Sequence, residues 1–444
     1  MSRHQNIKEL FNEFSCSHAG DKDKKTTCER LVPGTIIGGC SFEGAFQTLA
    51  HFKGAAHILH SPSTCPHTSQ NSHDKEAPLL FSTTQMTLHD LIFGAEGKLG
   101  ASIEYVYTHY QPKVIFVYLT CVGSLIGEDV ESITIAKEKA LGIPIVLVDA
   151  AGFLGGIPFG ARVAGITLME YFMGQKEPVE CGEYDINLIS YNTCKNEMAE
   201  YQSILEAIGF KIRWVFGAPE EIETTFSAHR AKLNVVIGSK SMVALARKME
   251  ERWDIPWVEV SFNGKHATSD AIRAIVEVFA DGLLTRVSER YIAKEEKTLT
   301  EALSSYKACL KDKVAVIKLH GKDSWQFIAL LKELGMRIAA TSIQQSTQDD
   351  IEKVYTSLAG EGMVLRNCEE DLVETIEEEN VDILLCYRHD FNAAVESKIA
   401  FMEINTKDVK HYAGYNGLVA FAQEMVKTLT NPFFKVVYAK APWQ

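Results

Sequence analysis

VIFVYLTCVGSLIGEDVESITIAKEKALGIPIVLVDA, residues 114–150, decides the fold class. Its two ends, VIFVYL (114–119) and IPIVLVDA (143–150), are apolar runs rich in β-branched residues, the pattern of strands buried on both faces of a parallel sheet. A helical-looking segment joins them, so the stretch reads as strand, crossover and strand. The rhythm continues outward. DINLISYN (185–192), KIRWVFG (211–217), LNVVIG (233–238) and WVEVSF (257–262) read as further strands, followed by KVAVIKLHG (313–321), MRIAATSI (336–343), VDILLCY (381–387) and FMEIN (401–405). Amphipathic stretches between them, such as EMAEYQSILEAIG (197–209) and SWQFIALLKELG (324–335), each end at a glycine suited to a helix C-cap. The sequence therefore predicts an α/β protein built from several doubly wound parallel sheets flanked by helices.

With 444 residues the chain exceeds what one core organises, and about three domains are expected. GQKEPVECGEY interrupts the pattern near residue 180, and the charged stretch 285–312 reads as a long exposed helix leading into a new sheet. The expected division is an arm over 1–30 and α/β domains over 31–180, 181–305 and 306–444. A net charge of −13 speaks against the basic face that nucleic acid requires. The start, MSRHQNIKELFNEF, has no apolar leader core, and no stretch reaches the roughly eighteen apolar residues of a membrane helix, which predicts a cytoplasmic protein. In that reducing compartment the ten cysteines are expected to be free thiols, some of them kept for catalysis or metal binding. None forms a CxxC pair, which sets aside zinc ribbons, thioredoxins and bacterial ferredoxins. No GxxxxGK[ST] loop is present, so the chain is not expected to hydrolyse nucleotide.

Ligands of α/β sheets gather beyond the carboxyl ends of the strands. Cys121 directly follows the 114–119 strand, Cys65 follows the apolar run AAHILH, and Cys40 lies in VPGTIIGGCSFEGA, a glycine-flanked loop opening a helix. Gly38 and Gly39 would let the backbone approach a bulky ligand, and a helix start after Cys40 would favour an anionic thiolate. A lone cysteine more often serves as a small buried hydrophobe, the reading given to Cys181, Cys194, Cys309, Cys368 and Cys386. For Cys40, Cys65 and Cys121 spacing alone leaves both readings open. His60, His67 and His73 crowd around Cys65, as iron ligands, proton relays or plain loop residues. Glu128 and Asp129 are suited to capping the next helix, and Lys240, Arg162 and His229 to salt bridges or to steering an anion.

PGTIIGGCSFEGA, AHILHSPSTC, VYLTCVGSLIGEDV, VDAAGF and the ending PFFKVVYAKAPW resemble the component 1 superfamily of nitrogenase, on the branch of the NifE-type cofactor-assembly scaffolds. AHRAKLNVVIGSKSMVALARKMEERWDIPWVEVSF and FMEINTKDVKHYAGYNG extend the likeness through the later part of the chain, and Cys16 and Cys28 of the arm fit the same branch. The resemblance implies three Rossmann-like domains and a homologous NifN-like or β-type partner in an α2β2 assembly. It also implies a nucleotide-dependent iron protein as electron donor. Cysteines matching Cys40, Cys65 and Cys121 would bind a 4Fe-4S cluster at the subunit interface, leaving one thiolate for the partner. The scaffold's task would be to receive a larger iron–sulfur precursor, let it mature with molybdenum and homocitrate, and pass it on.

The sequence departs from that pattern at Gly238, where the branch carries a cysteine that anchors the large cofactor. Restoring a cysteine there is expected to increase retention of a large cluster. The histidine of the catalytic subunit near the carboxyl end has no counterpart either, since His411 lies upstream of the matching place. The second reading is the catalytic subunit of a nitrogenase-like reductase, such as a methylthio-alkane reductase. A third is a binding protein that keeps the fold without a cluster.

Overall fold

The computed structural model describes residues 4–6, 39–63, 65, 80–191, 193–217, 220–238, 240–344, 346–359, 362–365, 369–387, 390–404 and 412–438. The chain groups into two units, one formed by 37–193 with 211–258 and the other by 1–36, 194–210 and 259–444.

The first unit holds two four-stranded sheets and a small parallel pair, Phe52–Lys53 with Glu220–Glu221. The strands β1 (Ala55–His60), β2 (Leu80–Thr83), β3 (Val114–Leu119) and β4 (Ile145–Asp149) lie in the order β2-β1-β3-β4, every pair parallel. Alternate residues of these strands face opposite ways, and both faces are covered. Leu59, Phe116, Tyr118, Val146 and Val148 join one apolar cluster, while Ile58, Ile115, Val117 and Ile145 join another. That double burial is why the strands are apolar throughout rather than alternating. The helices Ser41–Leu49 (α1), Leu88–Phe93 (α2), Glu96–Tyr110 (α3), Cys121–Ile126 (α4), Val130–Leu141 (α5) and Ile157–Tyr171 (α6) surround this sheet in the chain. Leu99, Ile103 and Val106 of α3 pack on one face, and Phe42, Phe46, Ala161 and Leu168 of α1 and α6 belong to the cluster on the other.

The second sheet of this unit comprises β5 (Asp185–Ile189), β6 (Lys211–Phe216), β7 (Leu233–Ile237) and β8 (Trp257–Val260) in the order β8-β7-β5-β6. Its Ile189, Trp214, Phe216 and Val236 enter the same apolar cluster as α1 and α6.

The other unit is centred on β9 (Val314–Lys318), β10 (Arg337–Ser342), β11 (Met363–Leu365), β12 (Ile383–Cys386) and β13 (Ala400–Glu403), parallel in the order β11-β10-β9-β12-β13. His4–Asn6 adds an antiparallel edge strand against β11, inside the stretch expected to be an arm. The charged stretch is a helix, Gly282–Leu310, with Leu284, Ile292, Leu299 and Leu303 along its buried stripe. The α/β class and the parallel sheets flanked by helices are as the sequence predicts. No helix among the described residues is long and apolar enough to cross a membrane.

Candidate functional site

β1 and β3 are neighbours, as are β3 and β4, so the loops leaving their carboxyl ends meet at one edge of the sheet. Cys65 lies on the loop after β1, where its N–H donates to Pro62 O at 3.3 Å. Cys121 is the first residue of α4, after β3. Cys40 is the N-cap of α1, and the next residue anchors it. Ser41 Oγ donates to Ala150 O at 3.0 Å and to Ala151 O at 2.5 Å, tying the start of α1 to the loop after β4.

That loop carries Gly152, which sequence reasoning passed over. Its N–H donates to Cys121 Sγ at 3.1 Å. A Cβ placed on it would stand 3.0 Å from Cys121 Sγ, 3.1 Å from Cys40 Cβ and 3.4 Å from Cys40 Sγ. The backbone at 152 is therefore the floor on which both cysteines converge, and a side chain would fill the cradle. The signal was present in VDAAGF: a glycine just beyond a strand end, at the edge where ligands gather.

The thiols act on one another. Burial, followed by the nearby Cys40 and Cys121, pushes Cys65 up to about 11. Burial also raises Cys40, against the lowering pull of the Glu43 and Phe42 backbone amides. The helix start after Cys40 thus opposes the burial, as the sequence suggests, but does not overcome it. Without bound metal Cys40 and Cys65 keep their protons, and ligation must release them. Among the described residues no three His, Cys, Asp or Glu side chains converge closely enough to hold a single metal ion. Two thiols against the Gly152 backbone, with Cys65 near enough to feel both, are too widely set for one metal ion but could each take a separate iron of a multi-iron cluster.

The other candidates fall away from the cradle. His60 is not a loop residue but the buried last residue of β1, with Nε2 2.5 Å from Glu128 Oε2 and Nδ1 3.2 Å from Thr84 Oγ1. Both ring nitrogens are engaged, which leaves neither for iron. Asp129 caps α5 through Ser132 N at 3.1 Å, whereas Glu128 turns inward to His60 and the Ala95 N–H. His229 is buried between Phe226 O and Glu177, and the Arg162 guanidinium lies 4.8 Å from the Phe159 ring centroid. Cys386 is buried as expected. Cys181 and Cys309, however, are exposed, and Cys194 is half-buried at the N-cap of Lys195–Ile208. Gly38, His67, His73, His411, Cys16, Cys28, Cys368 and the Lys240 side chain lie outside the described residues.

Gly238 follows β7 with φ +73, in the left-handed region that glycine adopts freely. This favours the other reading of the position, that glycine is kept for its backbone conformation and not because a thiolate is missing. Gly238→Cys is expected to lose about 1–2 kcal/mol in urea unfolding without gaining iron. More iron per complex at unchanged stability would contradict that.

Three comparisons bear on this geometry. The profile of the family described as nitrogenase component 1 type oxidoreductase matches residues 40–430. The nitrogenase iron-molybdenum cofactor biosynthesis protein NifE of Nostoc sp. is 35% identical, over 98% of this chain and 93% of that one. NifE of Rippkaea orientalis is 33% identical over 98% and 95%, and NifE of Klebsiella pneumoniae 29% over 98% and 98%. A solved structure titled "Nitrogenase Cp1 at pH 6.5" superposes with a TM-score of 0.79, over 99% of this chain and 100% of that one. At 22% identity that likeness concerns the fold.

Proposed function

The chain belongs to the nitrogenase component 1 type oxidoreductase family, and on that premise we propose that it is a scaffold subunit for assembly of the nitrogenase iron–molybdenum cofactor. Proteins of this family hold iron–sulfur clusters and work as complexes of several subunits. In the proposed arrangement Cys40, Cys65 and Cys121 supply three thiolates to a 4Fe-4S cluster, and a homologous NifN-like subunit supplies the fourth. The observation that carries this is the Gly152 cradle, where two of the thiols converge on a backbone with no side chain to fill the space. When bound, the cluster supplies a one-electron store. The protein's own residues orient it: Ser41 sets Cys40, and the Gly152 N–H donates to the Cys121 sulfur.

The surroundings support a partner at this edge. Leu125, four residues beyond Cys121, is 75% exposed, and Phe153, next to Gly152, is 55% exposed. Leu88, Ile92 and Phe93 of α2 are exposed as well. Large apolar side chains gathered beside ligand-bearing loops suit a protein interface better than water. Free thiols of this kind belong in a reducing cytoplasm, and an iron protein would be the electron donor. The division into domains over 31–180, 181–305 and 306–444, each centred on one sheet, goes with this reading.

The reductase reading is favoured only by Gly238. The two separate in a transfer assay. The complex, loaded anaerobically with precursor cluster, is mixed with cofactor-free nitrogenase catalytic protein. A scaffold is expected to hand over iron and restore that protein's activity. No transfer, together with turnover of a methylthio-alkane in the presence of iron protein and ATP, would replace the scaffold with a reductase.

A further inference from the structure

We propose that His60 and Glu128 form a clamp that holds the Cys65 loop and the Cys121 helix at a fixed separation, as positioning residues that touch neither the cluster nor its ligands. The inference rests on the cluster reading above and concerns residues behind the cradle.

Both ligand-bearing segments are tied to His60, one through the imidazole and Thr84, the other through the His60 carbonyl and through the Glu128 partner of the imidazole. His60 pairs in register with Leu119, so it sits where β1 and β3 release their loops. On the Cys65 side, His60 Nδ1 meets Thr84 Oγ1, and that same oxygen accepts the Ser61 N–H at 3.2 Å, at the first residue of the loop. On the Cys121 side, Thr120 Oγ donates to His60 O at 2.8 Å, and Thr120 is the N-cap directly before Cys121. The far end of the short helix is tied as well. The Glu128 N–H donates to Gly123 O at 3.3 Å, while the Glu128 carboxylate spans His60 Nε2 and the Ala95 N–H. The helix lies directly over the pair: a Cβ on Gly123 would stand 3.4 Å from His60 Cδ2 and 3.7 Å from Glu128 Oε2.

The carboxylate accepts, so His60 Nε2 carries a hydrogen, and Nδ1 can either donate to Thr84 or accept from it. A side chain with 0% exposure for His60 and 4% for Glu128 is a costly place for polar groups if filling space were their only task. Apolar residues of similar volume would fill the space as stably. What they could not do is fix two loops to one point. Groups that orient metal ligands without touching metal are worth about 10-fold to 100-fold in metal affinity.

The test follows iron release to a chelator from the anaerobic complex of the full chain with its partner, beside circular dichroism and melting. The double variant His60→Leu with Glu128→Leu replaces the pair by apolar residues. It is expected to fold but to release iron at least about 10-fold faster. Thr84→Val keeps shape and removes only the link to the Cys65 loop, and faster release is expected there too. Glu128→Gln keeps an acceptor for the Ala95 N–H and turns an amide N–H toward His60 Nε2, which the ring accepts by moving its hydrogen to Nδ1 and donating to Thr84 Oγ1; with both links kept, release close to wild type is expected. Wild-type release from the double variant, or from Thr84→Val should the double variant not fold, would overturn the clamp. A wild-type complex without iron would instead defeat the cluster reading. The clamp would then be judged on cluster-free chain by alkylation of Cys65 and Cys121, expected to be faster in the variants, with equal rates refuting it.

Discussion

Cys40→Ala, Cys65→Ala and Cys121→Ala are each expected to strip most of the iron from the anaerobically purified complex, whereas Cys309→Ala leaves it in place. A cubane takes four thiolates, so each loss opens a coordination position that water or an external thiol must fill. The three cysteines occupy one sheet edge and share the Gly152 cradle or its immediate field, so the effect should be similar for all. Deleting a ligand should cost at least as much as deleting its outer-shell support, about 100-fold in iron retention. Cys309 lies exposed on the Gly282–Leu310 helix, in the other unit of the chain. Iron lost from Cys309→Ala as readily as from Cys65→Ala would show that the cysteines are wrongly sorted.

Gly160→Ala is expected to cost about 3 kcal/mol or more in stability and to empty the site in whatever fraction stays folded. Two effects of opposite sign compete at this position. In a helix interior alanine is favoured over glycine by about 1 kcal/mol, so propensity alone would stabilise the variant. Packing opposes it. A Cβ at 160 would stand 1.8 Å from Ser41 O and 2.7 Å from Ala45 N, and on the facing helix a Cβ at Gly44 would stand 2.0 Å from Ile157 O. These are backbone atoms, which cannot rotate aside, so α1 and α6 must separate. The separation falls on Ser41, whose hydroxyl ties α1 to Ala150 and Ala151, and hence on Cys40 beside it. A urea midpoint equal to or above wild type would show that the helices are not in this contact.

The strands were legible because a sheet covered on both faces leaves a plain mark: VIFVYL is an unbroken apolar and aromatic run, and LNVVI is apolar except at Asn234, whose buried amide is bonded to Asn187. Leu80–Thr83 and Met363–Leu365 left none, the first because it is only half-buried and ends in Ser82 and Thr83, the second because three residues are too short to make a run. Cys40, Cys65 and Cys121 could be picked out from their places after strand ends and before a helix. Their convergence could not, because it depends on the Ser41 tether, which spans 110 positions, and on the Gly152 backbone, which meets Cys121 across 31 positions and Cys40 across more than a hundred. His60 was misplaced because HSPSTCPHTSQNSH reads as one polar loop, although its first residue still belongs to β1. Of the acidic pair at 128 and 129, only Asp129 points outward to cap a helix, and local sequence does not tell which of two neighbours turns inward. For Cys309 the general tendency of lone cysteines to be buried conflicts with the charges around it, which mark an exposed helix, and the structure follows the charges.

In the proposed scaffold Cys40, Cys65 and Cys121 hold an iron–sulfur cluster against a partner subunit. Iron quantitation with electron paramagnetic resonance, on the complex purified without oxygen, tests it most directly. About four irons per heterodimer are expected, with a reduced-cluster signal that is absent when Cys65 is replaced by alanine. A folded wild-type complex without iron, or one whose signal survives loss of all three cysteines, would contradict it.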